Sequence, residues 1–175
     1  LGFNIVWMLP FGAAVARRFG TVRFLPLMAL ASVGGALMHL VTHQGAAVPM
    51  IGASAAISGA MAAAIRFAFQ RGGPISFWRS GDAEAYRVPA LSLAGVLSDP
   101  RALAFLAVWF GTTLLFGLGS VPLLGEDEPV AWQAHIGGFL VGLLMFSMLD
   151  PVPAQPRYTH PGHDEEPSDP RSGSA

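Results

Sequence analysis

Apolar residues in this chain are gathered into five long stretches. A helix that crosses a bilayer needs about 20 mostly apolar residues, or about 17 if it is short. Pro10 in the first stretch is compatible with such a helix, because neighbouring helices can satisfy the backbone groups it frees. The pattern predicts an all-α fold, a polytopic bundle of transmembrane helices, over residues 1–16, 24–42, 49–69, 102–120 and 130–149.

The segments outside these stretches differ in length and character. Most linkers are short, but residues 70–101 contain Gly, Pro, Ser and charged residues, which predicts an interfacial loop or a short surface helix. Residues 151–175 are rich in Pro, Ser, Asp, Glu and Gly and have little to bury, so we expect a disordered tail. The chain is thus divided into a membrane domain at 1–150 and a tail at 151–175.

The composition indicates a membrane protein and excludes several kinds of chemistry. The chain is 53% hydrophobic and 12% charged, whereas soluble domains have about 25% charged residues. A net charge of -1 gives no reason to expect a nucleic-acid partner. The chain has no cysteine, which excludes disulfides, thiolate metal sites and cysteine nucleophiles. Any nucleophile must therefore be an oxygen.

The arginines predict how the bundle is oriented. All ten basic residues are Arg, and every one falls on the same side of the membrane if the five stretches alternate in direction. The loops on the other side, 43–48 and 121–129, contain no Arg or Lys. The positive-inside rule then places the tail in the cytoplasm. Exclusive use of Arg, with much Ala and Gly, suggests a bacterial source and hence the bacterial cell membrane.

Few side chains within the predicted spans can perform acid-base or nucleophilic chemistry, and such residues are functional candidates by default. They are Asn4, Ser54, Ser58 and His135. All but Ser58 lie four or five residues from the outer end of their stretch, at a depth of about 6 to 8 Å. A serine needs a neighbouring base, which imidazole provides near neutral pH, and an amide can stabilise an oxyanion.

Small residues surround two of these candidates. Gly52 precedes Ser54, and Gly138 and Gly142 follow His135. Small residues at helix interfaces allow backbones to approach closely, so we expect the third and fifth stretches to be in contact. Ser58 is a rival nucleophile, but it lies one turn deeper and lacks a preceding glycine.

These residues carry a resemblance to a known family. The segments 52–55 (GASA) and 134–142 (AHIGGFLVG) resemble the G-x-S-G and A-H-x-G-G-x-x-x-G motifs of rhomboid intramembrane proteases. Phe3-Asn4 and the basic turn at 16–20 are similar to the family's second helix and the turn after it. The resemblance extends over about residues 1–151 and implies a rhomboid-like bundle with five of the family's six core helices.

The resemblance also implies a function. Rhomboid proteases cleave transmembrane proteins below the outer membrane surface with a Ser–His dyad and no third acidic residue. Ser54 would be the nucleophile, His135 the base, and Asn4 with the Ser54 backbone N–H the oxyanion donors. Gly52, Gly138 and Gly142 would support the motifs, and neither a metal nor an organic cofactor is implied. The expected partners are transmembrane substrates and the lipid bilayer. The substrate, the cleavage sequence and the oligomeric state are not readable.

Three departures from the family pattern bear on activity. The chain begins inside an apolar run without an initiator Met, so we expect it to be cut within a helix; a second oxyanion histidine would precede Leu1. A chain truncated there would lack part of the oxyanion site, which would favour an inactive chain. Ala55 replaces the glycine that usually follows the serine, and Ser58 stands where some members stack an aromatic ring on the histidine. His135 would then be oriented by the Ser58 hydroxyl or by packing alone.

Other functions compete with proteolysis. A rhomboid-like pseudoprotease that binds membrane helices without cutting them is the main alternative; Ala55 favours it weakly, whereas the presence of both Ser54 and His135 argues against it. A transporter predicts charges at mid-membrane depth, which the stretches lack. His39 and His43 could bind a metal, although interfacial or helix-capping roles are favoured. We interpret the Arg17-Arg18 pair as a topology signal and a contact for lipid headgroups.

Overall fold

The computed structural model describes residues 2–45, 53–75, 82–117 and 131–153. All regular structure within these residues is helical, which confirms the predicted all-α fold. A π-helical segment, Met8–Gly12, joins the first two α-helices, and a 3-10 helix, Ala83–Arg87, precedes the fifth. The α-helices are α1 Gly2–Trp7, α2 Ala13–Phe19, α3 Thr21–Thr42, α4 Ser54–Ala64, α5 Leu93–Ser98, α6 Pro100–Gly117 and α7 Trp132–Leu149.

Three of these helices, α3, α6 and α7, are long and apolar enough to cross a membrane. At most a third of their apolar windows is buried inside the protein, so most of their apolar surface faces outward. Such a surface is more stable in contact with lipid than with water, because the exposure of apolar side chains to water is unfavourable. The chain is therefore an integral membrane protein with a helical bundle fold.

The described part of α4 is shorter than its predicted stretch of 49–69. Every residue from Ala55 to Ala64 is buried, so α4 is enclosed by the other helices on all sides. Beyond Ala64 the chain turns, and the backbone of Arg66 accepts a hydrogen bond from the Leu91 N–H at 2.7 Å. An apolar stretch can thus end early when polar backbone beyond the helix finds partners inside the protein. Residues 49–52 lie outside the described part of the chain.

The first stretch is helical through Pro10 because the helix widens there. Proline lacks an N–H, and its ring collides with the carbonyl four residues earlier in a regular α-helix. The Ala13 N–H instead donates to the Met8 carbonyl five residues back, which is the π-helical pattern. The Met8 side chain covers this turn where Gly12 has no Cβ. The helix therefore continues to Phe19 and meets α3 through Gly20, whose φ of 70° favours glycine.

The long linker forms short surface elements, as its composition predicted. The 3-10 helix at Ala83–Arg87 begins at Asp82, whose carboxylate accepts from the Glu84 N–H. In α5 the Leu93 and Leu97 side chains are exposed, which suits a helix lying at the membrane interface. The aromatic residues Phe77 and Trp78 of this linker lie outside the described residues.

A buried ion pair joins α2 to the end of α7. The Arg18 side chain is 0% exposed and binds the Asp150 carboxylate through both Nε and Nη2, each at 2.8 Å. Its Nη1 donates to the carbonyls of Tyr86 and Val88. The interpretation of Arg18 as a lipid-headgroup contact is therefore wrong, because its guanidinium is occupied inside the protein; Arg17 is exposed.

Replacing Arg18 with glutamine is expected to destabilise the protein by about 3–5 kcal/mol, because the largely buried Asp150 carboxylate loses the guanidinium that binds both of its oxygens. Arg17→Gln is the matched control. Arg17 is exposed and donates to the Tyr86 hydroxyl, and an exposed contact of this kind contributes less than about 1 kcal/mol. Unfolding of both variants in detergent micelles would measure the difference. Equal stabilities would show that the ion pair does not hold the helix ends together.

Candidate active site

Two glycines of α7 bring its backbone onto the backbone of α4. A Cβ added to Gly138 would overlap the Ala55 carbonyl oxygen and lie 2.7 Å from the carbonyl carbon. One turn later, a Cβ added to Gly142 would overlap the Gly59 carbonyl oxygen and lie 2.5 Å from Gly59 Cα. Because both pairs advance by four residues, the two helices run parallel and in register. This confirms the contact that the small residues predicted.

The pairing of α4 with α7 determines the positions of Ser54 and His135 along the helix axes. Ser54 precedes Ala55 by one residue, and His135 precedes Gly138 by three, which correspond to about 1.5 and 4.5 Å along the axes. The two Cα atoms therefore differ in height by about 3 Å. Helical side chains tilt toward the N-terminus, so both point toward the same end of the bundle. Both residues are half-buried.

His135 also lies on the appropriate face of α7. Residues three and seven apart share a helix face, so His135 lies on the same face as Gly138 and Gly142, which contact α4. The neighbouring face, at Gly137 and Val141, contacts Gly34 of α3 instead. His135 therefore lies on the side of α7 that packs against α4, at the contact of Gly138 and Gly142 with Ala55 and Gly59 that is called the seam below.

Ser54 is the first residue of α4 and follows a turn without a side-chain cap. The N-cap residue is Ala53, and the first N–H that donates within the helix is that of Ile57, which bonds to the Ala53 carbonyl at 3.1 Å. The N–H groups of the first turn, Ser54 among them, therefore have no intrahelical partner. These groups and the positive end of the helix dipole can stabilise negative charge near Ser54.

Ser58 is engaged in the helix itself. Its side chain is buried, and its hydroxyl donates to the Ser54 carbonyl at 2.9 Å. A serine bonded one turn back is a common feature of membrane helices. The proton of this hydroxyl is therefore not available to orient His135.

Asn4 and Gly52 are the other residues that the sequence predicted for this site. Asn4 is half-buried in α1, which packs against α4. No hydrogen bond joins the side chains of Ser54, His135 and Asn4 to one another across the described residues. Gly52 lies outside the part of the chain that the structure describes.

The family model for the rhomboid domain matches residues 1–150. The chain belongs to the rhomboid family. Searches of curated proteins and of solved structures found no match. Rhomboid proteins are in general serine proteases that act within membranes, so the family makes proteolysis the first function to consider.

In this rhomboid the alanine after the serine has a compensating partner. The Ala55 methyl group packs where Gly35 of α3 has no side chain, and a Cβ on Gly35 would overlap it. The same added Cβ would lie 2.8 Å from the Ala134 carbonyl oxygen. The extra methyl group of Ala55 is therefore accommodated by α3, and α3, α4 and α7 meet at one point. The sequence reasoning missed Gly35, although its small size in a long apolar helix was a usable signal.

The histidines of α3 form a stacked pair. The rings of His39 and His43 lie 4.3 Å apart, and the His43 N–H closes the helix by donating to the His39 carbonyl at 3.0 Å. This confirms the capping role for His43. The described residues contain no group of three or more side chains suited to hold a metal ion.

The aromatic residues of α6 divide between the interior and the surface of this rhomboid. Trp109 is buried and stacks on Phe139 of α7 with centroids 4.5 Å apart. Phe110 is exposed, and Phe116 is half-buried. Trp109 thus packs between helices, whereas Phe110 faces outward.

Proposed function

We propose that this protein is an intramembrane serine endopeptidase in which Ser54 is the nucleophile and His135 its general base. The observation that supports this most directly is the backbone contact between α4 and α7 at Gly138 and Ala55, from which the Cα atoms of Ser54 and His135 differ by about 3 Å in height along the bundle. A working pair needs a hydroxyl and an imidazole within about 2.6–3.2 Å. Both side chains are half-buried and tilt toward the same end of neighbouring helices, so rotation about their side-chain bonds offers a route to that distance.

The proposed reaction uses groups from three helices. His135 takes the proton of the Ser54 hydroxyl as its oxygen attacks the scissile carbonyl, and it then protonates the leaving amine. The Ser54 N–H and the Asn4 amide would donate to the oxyanion. Water then hydrolyses the acyl-enzyme, with His135 again accepting a proton. The glycine-packed seam would hold the imidazole in place of an acidic third residue, and the chemistry requires neither metal nor cofactor.

The substrates of such an enzyme are transmembrane proteins that enter from the bilayer. Ser54 and His135 lie at the end of the bundle opposite Arg18 and Asp150, at the beginnings of α4 and α7. With the arginines toward the cytoplasm, cleavage would occur near the outer face of a bacterial cell membrane. The tail at 151–175 would then be cytoplasmic.

Labelling of the full-length protein with a fluorophosphonate probe tests this proposal against a pseudoprotease that only binds membrane helices. We expect labelling that disappears in Ser54→Ala and persists in Ser58→Ala, since the Ser58 hydroxyl is engaged by the Ser54 carbonyl. The two substitutions remove the same atom one turn apart, so each controls for the other. Absence of labelling in every version would support the pseudoprotease, and labelling lost only in Ser58→Ala would refute the assignment of Ser54.

A further inference from the structure

A cavity of about 800 Å³ lies at the end of the bundle that holds Arg18. It is bounded by the turn after α4, the segment before α5 and the end of α7, which contribute Arg66, Val88 to Ser92, Phe146, Ser147 and Asp150 among its lining residues. This site is at the opposite end of α4 and α7 from Ser54 and His135, so it plays no part in the proposed proteolysis.

One of the residues that line the cavity, Arg66, is a buried cation whose guanidinium N–H groups are not all used in hydrogen bonds to the described residues. Arg66 is only 8% exposed. Its Nε donates to the Leu91 carbonyl at 2.7 Å, and its Nη1 makes a long contact of 3.4 Å with the Ser147 hydroxyl. Among the described residues no acceptor bonds to Arg66 Nη2. A guanidinium is built to bind a planar or tetrahedral anion through two parallel N–H groups.

The carboxylate nearest to Arg66, that of Asp150, is already bound by another arginine. Arg18 binds both oxygens of Asp150, and the guanidinium groups of Arg18 and Arg66 lie over the same Phe146 ring at 5.6 and 4.8 Å. Two buried cations therefore share one anion, and Asp150 is the one acidic side chain in the described lining. Burying a charge without a partner is costly, and among the described residues the buried cations at this site outnumber the buried carboxylates by one.

The mouth of the cavity adds polar and cationic groups. Arg71 is exposed and lines the cavity, together with Ser92 at the beginning of α5. Neither residue is paired with a carboxylate in the described part of the chain. An anion entering the cavity would thus meet Arg71 first and Arg66 deeper inside.

The surroundings indicate that the anion is attached to apolar chains. Ser147 is exposed on α7, and Leu144 and Leu140, three and seven residues earlier on the same face, are 63% and 43% exposed. This face of a membrane-spanning helix leads from the cavity toward the bilayer interior. A phosphate group in the cavity could therefore remain attached to acyl chains lying against α7.

We propose that this cavity binds the phosphate headgroup of an anionic phospholipid, with Arg66 as the principal ligand and Arg71 as a second. The same chemistry would accept free phosphate, but the exposed leucines favour the lipid. Basic pockets between helices at the cytoplasmic side of a membrane suit such headgroups.

Native mass spectrometry of the delipidated full-length protein, with equal amounts of dioleoylphosphatidylglycerol and dioleoylphosphatidylcholine, tests the proposal. We expect the anionic lipid to be retained about tenfold or more over the neutral one, because the neutral lipid carries a quaternary ammonium that offsets its phosphate charge and that Arg66 and Arg71 would repel. Arg66→Gln should abolish this preference. Arg71→Gln, at an exposed site that does not threaten folding, should reduce it about fivefold. The matched control is Arg23→Gln, an exposed arginine at the start of α3 outside the cavity, which should change nothing.

Several results would overturn the proposal. Equal retention of the two lipids, or equal losses in Arg71→Gln and Arg23→Gln, would show that no specific site exists. Displacement of the lipid by millimolar inorganic phosphate would show a free-anion site. Lipid retention that appears only after neutralising the four tail carboxylates, Asp164, Glu165, Glu166 and Asp169, would identify the tail as the occupant.

Discussion

Replacing His135 with alanine is expected to lower the turnover of a transmembrane substrate by about 10⁴- to 10⁶-fold, and Ser54→Ala should cost as much. The physical reason is that the serine and the imidazole act as one unit, because a hydroxyl without a base to take its proton is a poor nucleophile. The double variant should therefore be no slower than either single variant. Quantitative cleavage assays of the full-length protein in liposomes would measure all three.

Two controls accompany this prediction. Ser58→Ala removes a hydroxyl one turn from Ser54, and His160→Ala removes an imidazole from the tail; both should retain activity. If the losses from Ser54→Ala and His135→Ala multiplied in the double variant, the two residues would be acting independently and the dyad would be excluded. Substantial activity in His135→Ala would require a different base.

The second large effect is expected from adding one methyl group to Gly138. The new Cβ would collide with the backbone of Ala55, and no side-chain rotation can relieve a clash with backbone. The seam between α4 and α7 would have to open, which should destabilise the protein by about 1–3 kcal/mol. A displacement of about 1 Å between reacting groups can cost about 100-fold in rate. The cleavage rate should therefore fall by more than the loss of folded protein accounts for. Thermal unfolding and substrate cleavage, measured on the same preparation, would separate the two effects.

Gly111→Ala is the matched control for Gly138→Ala. Gly111 lies within α6, and a Cβ there would meet no heavy atom within 4 Å. Alanine favours a helix over glycine by about 1 kcal/mol, so this variant should be as stable as the native protein or slightly more so. A Gly138→Ala variant that behaved like Gly111→Ala would show that the seam is not tightly packed in the membrane.

The helices could be predicted from the sequence because bilayer thickness imposes a length on apolar stretches. The predicted 24–42 and 130–149 correspond to α3 and α7 with ends shifted by no more than three residues, and α6 overlaps the predicted 102–120 as far as Gly117, where this described range stops. The early end of α4 could not be predicted, since it depends on hydrogen bonds to the segment before α5. The bond between Arg18 and Asp150 joins residues 132 apart in sequence, and local pattern carries no information about such a pair.

The candidate site was predicted only in part. The motifs identified Ser54 and His135, and the glycines after His135 predicted the contact between their helices. The fit of Ala55 against Gly35 was not foreseen, because it depends on which face a third helix presents. The bond from the Ser58 hydroxyl to the Ser54 carbonyl likewise required coordinates. The roles of Ser54, His135 and Asn4 remain predictions.

The wide turn at Met8–Gly12 has a consequence for the angular position of Asn4. A π-helical turn accommodates one residue more than an α-helical turn, which corresponds to a rotation of about 100° around the axis. Because the ion pair with Asp150 anchors Arg18 at one end, this turn determines the direction in which Asn4 faces at the other. Deleting one residue there would turn α1, and Asn4 with it, by about 100° relative to α2, so the length of this segment fixes the direction in which the proposed oxyanion donor faces.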